Sequence, residues 1–554
     1  MTWLEYYQLH ECQWDSFQAL RDEFEWEFPE EFNTSQFICD RWVDDGENIA
    51  AYYEDRTSNR SGKLSFEELK ERSNQLANYL KELGVKKGDR VAINVPRKIE
   101  TLISHVAVWK LGAVSVPLST LFGPYGLKYR ISDSSSTAII IDESNLDTFR
   151  TISQELDSIE QIITVGEVTQ KDGELDFWSS IKGQPTDFEI ENTNLEDDMV
   201  LMYTSGTTGD PKGVLHAHRS TIGHLPGVIT NFYNLEIRDD DITWCPTEYS
   251  WAGTLTYILA SWAFGLPLVA YETGKSFDAE EAFSLIEKYD VTVSQIPPSG
   301  LRILMQVEDP NEKYDVSKMR HIASGGEKLG DTVSGWARRV FGASVHELYG
   351  QTELWNIIVG DCTKLKESRT GWLGYSLPGH DVEIVDPETM EKAEPGEVGE
   401  IVLSQDDPTV LKEYWNKPEK TESIFVDGWV LTNDLGKRNE GGEFKFLGRK
   451  DDVIISSGYR IGPEEVEDSI TAHQAVAYAG VVGVPNDVRG QVPKAFVVLS
   501  DGYEPSQTLK EDLKSYVREN LAAYEYPRHI EFIDELPRTT TGKIQRTKLQ
   551  NRQN

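Results

Sequence analysis

The sequence predicts an α/β protein: a large N-terminal domain of parallel-rich α/β subdomains with a small β-barrel-like subdomain, then a small C-terminal α+β domain. Three observations predict it. From Leu64 onward, helix-period segments alternate with short β-branched runs, which argues for largely parallel sheets. Near residue 380 the texture changes to short strands and turns, as in DVEIVD, GEVGEIVL and GGEFKFLG. At residue 448 a charged turn, GRKDD, opens a new run of strands and helices. These place an N-terminal domain over 1–447, its β-rich part at about 380–447, and a C-terminal domain over 448–554.

In SFEELKERSNQLANYLKELGV, Leu69, Leu76, Leu80 and Leu83 recur at helical spacing. Ser65 stands as the N-cap with Glu68 three residues on, a capping-box signature. IETLISHVAVWKLGA reads as a second helix, and VSVPL, STAIIID, VTVSQI, RHIASGG and SVHELYG as strands. Pro463 marks the first turn of a helix with acids after it. AYAGVVGV, KAFVVLS, LKEDLKSYVRENL and HIEFID read as βαβ-like pieces, enough for a small domain.

Composition excludes several classes. No run approaches the ~18 apolar residues of a membrane span, and MTWLEYYQLHECQWDSF has no secretion-signal pattern, so a cytoplasmic protein is expected. The four cysteines lack metal-ligand spacing and read as reduced thiols. Ninety-three acidic against 55 basic residues give a formal net charge of -38, with no basic patch for nucleic acid. The acids, spread along the chain, fit either a plain soluble surface or a high-salt setting, where the screening length falls to ~3 Å at 1 M.

YTSGTTGDPKGV (203–214) follows an apolar run and concentrates glycines, hydroxyls and one lysine. The P-loop pattern fits it only in part. Pro211 stands where the second glycine belongs, and Gly213 where the magnesium-binding Ser/Thr belongs. A degenerate P-loop, an ordinary turn and another kind of nucleotide loop are all open on this segment alone. Four further segments narrow the choice: YGQTE (349–353), GWVLTNDLG (428–436), GRKDDVIISSGYRIGPEEVE (448–467) and PRTTTGKIQR (537–546).

In this order the five segments resemble the motifs of adenylate-forming enzymes: acyl-CoA synthetases, adenylation domains of peptide synthetases and firefly-luciferase-like proteins. The resemblance runs from FNTSQFICDRW near residue 40 to the C-terminus. SSGYRIGP, DVRGQ and YEYPRHIEF are most similar to acetyl- and medium-chain acyl-CoA synthetases. The family pattern has Pro-Lys-Gly in the first loop, so Pro211 and Gly213 are its expected residues.

The resemblance implies ATP, Mg²⁺ and coenzyme A as reactants, with the last domain mobile. Thr204, Ser205, Gly206, Thr207, Thr208, Gly209 and Lys212 would hold the β- and γ-phosphates, backbone N–H groups and hydroxyls converging on oxygen. Gly326, Glu327 and the run Glu347, Leu348, Tyr349, Gly350, Gln351 and Thr352 would line adenine and the α-phosphate. Glu353 would be the metal ligand, as suits an ion that takes one or two carboxylates plus phosphate oxygens and waters. Asp434 and Arg449 would hold the ribose. Asn433 stands where the family has glycine, a substitution a left-handed turn tolerates.

Lys543 would bridge the carboxylate and the α-phosphate during adenylation. Catalysis would therefore rest on Lys543, Lys212, Thr208, Thr352 and Glu353. Asp451 resembles the hinge position. Ser457, Gly458, Tyr459, Arg460, Arg489 and Tyr526 would border CoA. Trp251, Gly325 and Gly350 would line the acyl pocket. Acetate-specific relatives carry tryptophan where Gly350 stands, so an acid longer than acetate is expected.

The implied reaction is carboxylate plus ATP giving acyl-AMP and pyrophosphate, then CoA giving acyl-CoA and AMP. Acetyl- or aryl-CoA formation, transfer to a carrier-protein thiol or oxidation of the acyl-adenylate, and a silent nucleotide-binding scaffold are the rival readings. A P-loop NTPase would instead release ADP and phosphate.

Overall fold

The computed structural model describes residues 7–44, 46–204, 210–274, 276–355, 357–366, 369, 371–456, 459–486, 488–521, 525–538 and 544–552. Two compact units result, one comprising Met1–Asp381 and Ser404–Gly428, the other Val382–Leu403 and Trp429–Asn554.

In the first unit the helix Phe66–Glu82 starts as its sequence dictates. Ser65 Oγ accepts the Glu68 N–H at 3.0 Å, while the Glu68 carboxylate accepts the Ser65 N–H at 3.2 Å. Leu69, Leu76 and Leu80 are fully buried, each contributing on the order of 2 kcal/mol by leaving water. The helix Ile99–Lys110 is buried on all sides, and its two buried charges are paired: Glu100 accepts from Arg60 and Trp178, and Lys110 donates to Asp40 and Asn74.

Two large sheets carry this unit. One has eight strands, in the order Glu413–Tyr414, Lys212–Ala217, Asp198–Thr204, Val114–Pro117, Arg90–Asn94, Ala138–Asp142, Gln161–Val165 and Glu174–Asp176. From Asp198–Thr204 to Glu174–Asp176 every pairing is parallel. At the other edge Lys212–Ala217 and Glu413–Tyr414 pair antiparallel. The second sheet has nine strands, among them the parallel run Val293–Gln295, His321–Gly325 and Ser344–Tyr349.

In the second unit Val382–Val385, Gly399–Ser404, Trp429–Arg438 and Phe444–Arg449 form an antiparallel sheet. The residues beyond form another sheet, on which the helices Pro463–Thr471 and Gln507–Asn520 pack through Val466, Ile470, Leu513 and Val517. The segments AYAGVVGV and KAFVVLS depart from the βαβ expectation: they lie in long antiparallel strands, Val476–Asn486 and Gly490–Leu499. Asn486 pairs with Gly490, so only three residues separate the strands, too few for a crossover. The βαβ step comes next, from Gly490–Leu499 through Gln507–Asn520 to the parallel strand His529–Phe532.

Candidate active site

The glycine-rich loop joins two antiparallel strands, with Thr204 paired to Lys212. It is thus a hairpin connection and not the strand-to-helix turn of a P-loop. Ser205, Gly206, Thr207, Thr208 and Gly209 lie outside the described residues. At the loop's outgoing end Tyr125 Oη donates to Asp210 at 2.9 Å. Gly213 has a packing reason. A Cβ there would lie 2.9 Å from Leu201 Cδ1 and 3.1 Å from Trp415 Cβ, so no side chain fits without displacing a neighbour.

Lys212 and Glu353 meet at one side chain. Tyr414 pairs in register with Val214, so its ring lies beside the strand that Lys212 opens. Lys212 Nζ is 5.1 Å from the Tyr414 ring centroid, and Tyr414 Oη donates to Glu353 Oε1 at 2.8 Å. Thr352 and Glu353 follow the strand Ser344–Tyr349 in a short 3-10 turn. Two contacts fix that turn: His216 Nε2 with the Thr352 carbonyl at 2.6 Å, and the Leu411 N–H with the Glu353 carbonyl at 2.9 Å.

His216 sits in the same hairpin as Lys212 and is fully buried. Burial holds its pKa down to about 3, against the partial support of the Thr352 carbonyl. It is therefore neutral at pH 7. Because a carbonyl only accepts, Nε2 carries the proton, and Nδ1 faces the Ser220 hydroxyl at 3.3 Å. Trp355, in the left-handed region at φ 48°, packs edge-on against His216 with centroids 4.8 Å apart.

The next parallel strand brings Gly325 opposite Leu348. A Cβ on Gly325 would sit 2.5 Å from Leu348 Cδ1 and 2.8 Å from its carbonyl oxygen, so strand packing demands glycine. Gly326 has φ 83° with open space around its Cβ position. Glu327 pairs with Arg302 at 3.0 Å. Glu347 accepts the Leu329 N–H at 3.3 Å, and burial pushes its carboxyl up to about 7. Leu348 and Tyr349 are buried, whereas Gly350, Gln351, Thr352 and Glu353 are half-exposed. Trp251 is half-buried at the N-cap of the helix Ala252–Ala263.

The second unit holds a different constellation. Asp434 pairs in register with Arg449, their side chains 3.1 Å apart, and Asp434 is 4% exposed. Asn433 takes φ 59°, the left-handed backbone that glycine or asparagine adopts most readily. Its N–H donates to Glu400 Oε1 at 2.9 Å, and its side-chain Nδ2 to Asp451 Oδ2 at 2.9 Å. Lys450 reaches the other Glu400 oxygen at 2.8 Å.

Tyr459 and Arg460 lie in the strand Tyr459–Ile461; Ser457, Gly458 and Lys543 lie outside the described residues. The ends of the Lys543 segment are anchored by an Arg538–Ile544 bridge and by a 2.8 Å bond from the Gln545 N–H to the Pro537 carbonyl. Tyr526 stacks with Arg528 at 3.8 Å and lies 5.7 Å from Arg518. Arg528 is held below its usual pKa by burial and by the like charges of Arg489 and Arg518. Arg528 thus lies near two further arginines, a local concentration of positive charge on a chain that is otherwise strongly acidic.

Four residues here were not read from sequence: His216, Tyr414, Arg518 and Arg528. Arg528 had a signal, standing two residues after Tyr526 in YEYPRHIEF. The other three had none.

Comparisons with known proteins agree along most of the chain. Residues 40–415 match the AMP-binding enzyme family, and 465–543 match the AMP-binding enzyme C-terminal domain. The acetyl-coenzyme A synthetase of Bacillus subtilis (strain 168) is 36% identical over 505 residues, covering 90% of this chain and 86% of that one. The mitochondrial acyl-coenzyme A synthetase ACSM3 of Rattus norvegicus is 30% identical over 97% of this chain and 93% of its own. Among solved structures, the anthranilate CoA ligase AuaEII in complex with anthranoyl-AMP superposes with TM-score 0.86 at 29% identity, over 95% of this chain and 98% of that one. A benzoate CoA ligase from Burkholderia xenovorans LB400 gives 0.82 at 26% identity, over 94% and 100%. This chain belongs to the AMP-binding enzyme family, among its AMP-forming acyl-CoA synthetases.

Proposed function

We propose that the protein joins a short- to medium-chain carboxylic acid longer than acetate to coenzyme A, through an acyl-adenylate, at the cost of ATP. The observation that carries this reading is the seating of Lys212, Thr352 and Glu353 on one frame. His216 and Tyr414 tie the strand beginning at Lys212 to the turn that bears Thr352 and Glu353.

The first half-reaction needs no general base, because the acid is already ionised at neutral pH. The substrate carboxylate oxygen attacks the α-phosphorus, and pyrophosphate leaves. Positioning and charge carry this step. Lys212 and the hydroxyls of the glycine-rich loop neutralise the leaving pyrophosphate, and Thr352 donates to the α-phosphate. Lys543 spans the acid and the α-phosphate. Asp434 accepts from the ribose hydroxyls, with Arg449 beside it. In the second half the CoA thiolate attacks the acyl carbonyl and AMP leaves. By the family resemblance Ser457, Gly458 and Tyr459 would border its path, and Arg460, Arg489 and Tyr526 would contact CoA, with Arg528 stacked on Tyr526. Rotation about Asp451 lets the C-terminal residues serve both halves.

Magnesium fits this donor set. No group of three or more His, Cys, Asp or Glu side chains suited to a metal occurs among the described residues. A single carboxylate, Glu353, matches an ion that arrives with ATP and keeps phosphate and water ligands. When bound, it would offset negative charge on the phosphates.

Gly350 in place of a bulky side chain favours a pocket deeper than acetate requires, each added CH₂ contributing ~0.8 kcal/mol. Four free cysteines, three of them buried, suit a reducing compartment such as the cytoplasm. Among the described residues no helix is long and apolar enough to cross a membrane.

The test is AMP and pyrophosphate release over straight-chain C2–C10 acids and aromatic acids, with and without CoA. The expected result is CoA-dependent turnover peaking above C2. A peak at acetate overturns the chain-length reading. Pyrophosphate exchange with no CoA consumption overturns the CoA ligase reading in favour of carrier-protein transfer.

A further inference from the structure

Tyr414 is placed to do more than fill the core, and its role bears on the reaction proposed above. It is buried, at 5% exposure, so its hydroxyl must find a partner inside the protein. That partner is Glu353 Oε1 at 2.8 Å. The ring of the same side chain lies 5.1 Å from Lys212 Nζ, within the range of cation–π attraction. One side chain therefore touches a candidate metal ligand through its hydroxyl and a candidate phosphate ligand through its face.

The backbone around Tyr414 is held more firmly than a core residue needs. Its register is set by pairing with Val214, two residues beyond Lys212. Its N–H donates to Thr421 Oγ1 at 2.9 Å, and its carbonyl accepts from the Lys417 N–H at 2.9 Å. Both partners come from the turn YWNKPEKT (414–421), in which Asn416 takes φ 56° and Pro418 opens the helix Pro418–Glu422. The turn aims the ring, and the strand fixes its depth.

We propose that Tyr414 is a positioning residue for the phosphate end of the site. Its hydroxyl engages one carboxylate oxygen of Glu353 and leaves the other for Mg²⁺. Its ring holds the Lys212 ammonium on the same side. This inference rests on the roles proposed for Glu353 and Lys212, and it separates two functions of one side chain by chemistry. Outer partners of metal-ligating carboxylates typically change metal affinity ~10- to 100-fold when removed.

Tyr414→Phe keeps the ring and removes the hydroxyl; Tyr414→Leu removes both. Pyrophosphate exchange is measured against free Mg²⁺ and against ATP. Mn²⁺ binding in the presence of a non-hydrolysable ATP analogue is followed by electron paramagnetic resonance as the readout independent of turnover. The Phe variant is expected to need about 10-fold more Mg²⁺ and to bind Mn²⁺ correspondingly less tightly, with KM for metal-saturated ATP near wild type. The Leu variant should show the same metal defect and, in addition, KM for ATP raised about 3-fold.

Wild-type Mg²⁺ and Mn²⁺ dependence in the Phe variant overturns the proposal. So does an equal loss in both variants that follows a lowered melting temperature, because that marks a purely structural tyrosine. Glu353→Gln and Lys212→Ala distinguish the underlying reading. If those variants leave Mg²⁺ and ATP dependence unchanged, the assigned roles fail; if they shift them and Tyr414→Phe does not, only the present proposal fails.

Discussion

Two polar corners of this chain are built on opposite principles. In the first unit, Lys212, Thr352 and Glu353 are held by a neutral buried histidine, a buried tyrosine and main-chain pairing. In the second, Asp434, Asn433 and Asp451 are held by carboxylates and cations near the end of a β-hairpin. There Lys450, Arg449 and Asp451 are 39%, 38% and more than a third exposed respectively, while the carboxylates Asp434 and Glu400 are buried. A neutral, buried frame cannot trade partners with water. Where one partner stays exposed, as Arg449, Lys450 and Asp451 do, a hydrogen bond or ion pair can exchange with water at that partner. The first corner suits fixed geometry, and the second suits an element that must let go.

Acid is the broadest way to break that comparison. Burial holds His105, His216, His218 and His321 down to about 3 and His224 to about 4, all within the first unit. These depressed histidines stay neutral in the folded chain while an unfolded chain takes up protons below about 6.5. The unfolded state thus binds more protons between about 6.5 and the folded values, and stability falls as pH falls through that window. Five such groups sum to roughly 5 kcal/mol over the first pH unit below 6.5.

Asp452, in the second unit, is shifted the other way, raised by burial despite Arg546. Its contribution is present below the ordinary carboxylate range and lost as pH rises through the folded value. It therefore does not add to the acid loss. All tryptophans except Trp429 lie in the first unit, so tryptophan fluorescence follows that unit almost alone. Urea midpoints by fluorescence should fall steeply from pH 7 to 5; a flat profile would remove the buried-neutral frame.

A narrower break separates the two half-reactions. Lys543→Ala is expected to slow acyl-adenylate formation by ~10²- to 10³-fold, the effect of losing a preorganised charge at the transition state. Thioester formation from supplied acyl-AMP should continue near the wild-type rate. Rapid-quench measurement of each half checks it, and equal losses in both would contradict division of labour about a hinge.

How much of this was legible in sequence depends on the range of the interaction. The Ser65–Glu68 capping box was readable because both partners lie within one turn. The left-handed backbone at Asn433 was compatible with the sequence, because asparagine there replaces a glycine of the resembled motif, but only the structure fixes its φ of 59°. Gly213 was readable as a motif letter but not as a packing requirement, since Leu201 and Trp415 reach it from elsewhere in the chain. Tyr414 meets Glu353 across 61 residues and His216 meets Thr352 across 136, with no local pattern to pair them. The two long strands of the second unit misled for a related reason: apolar runs with glycine carry no sign of pairing direction.

The smallest expected effect tests the second corner at its most informative residue. Asn433 holds φ 59° and donates from its side chain to Asp451. Asn433→Gly keeps that backbone at no steric cost but deletes the amide. Relief of the left-handed conformation, ~1 kcal/mol, offsets a lost hydrogen bond of ~0.5–1.5 kcal/mol, so the melting temperature should barely move. The kinetic balance should move instead. Freed of its tie to Asp451, the hinge should reach the thioester-forming arrangement more readily, making the second half-reaction about 2- to 5-fold faster at ~0.5–1 kcal/mol. Adenylation should be unchanged or slightly slower. Single-turnover rates for the two halves decide it. If their ratio matches wild type while stability is unchanged, the asparagine is only a tolerated substitute for glycine, and the second corner's looseness resides in its exposed cations Arg449 and Lys450.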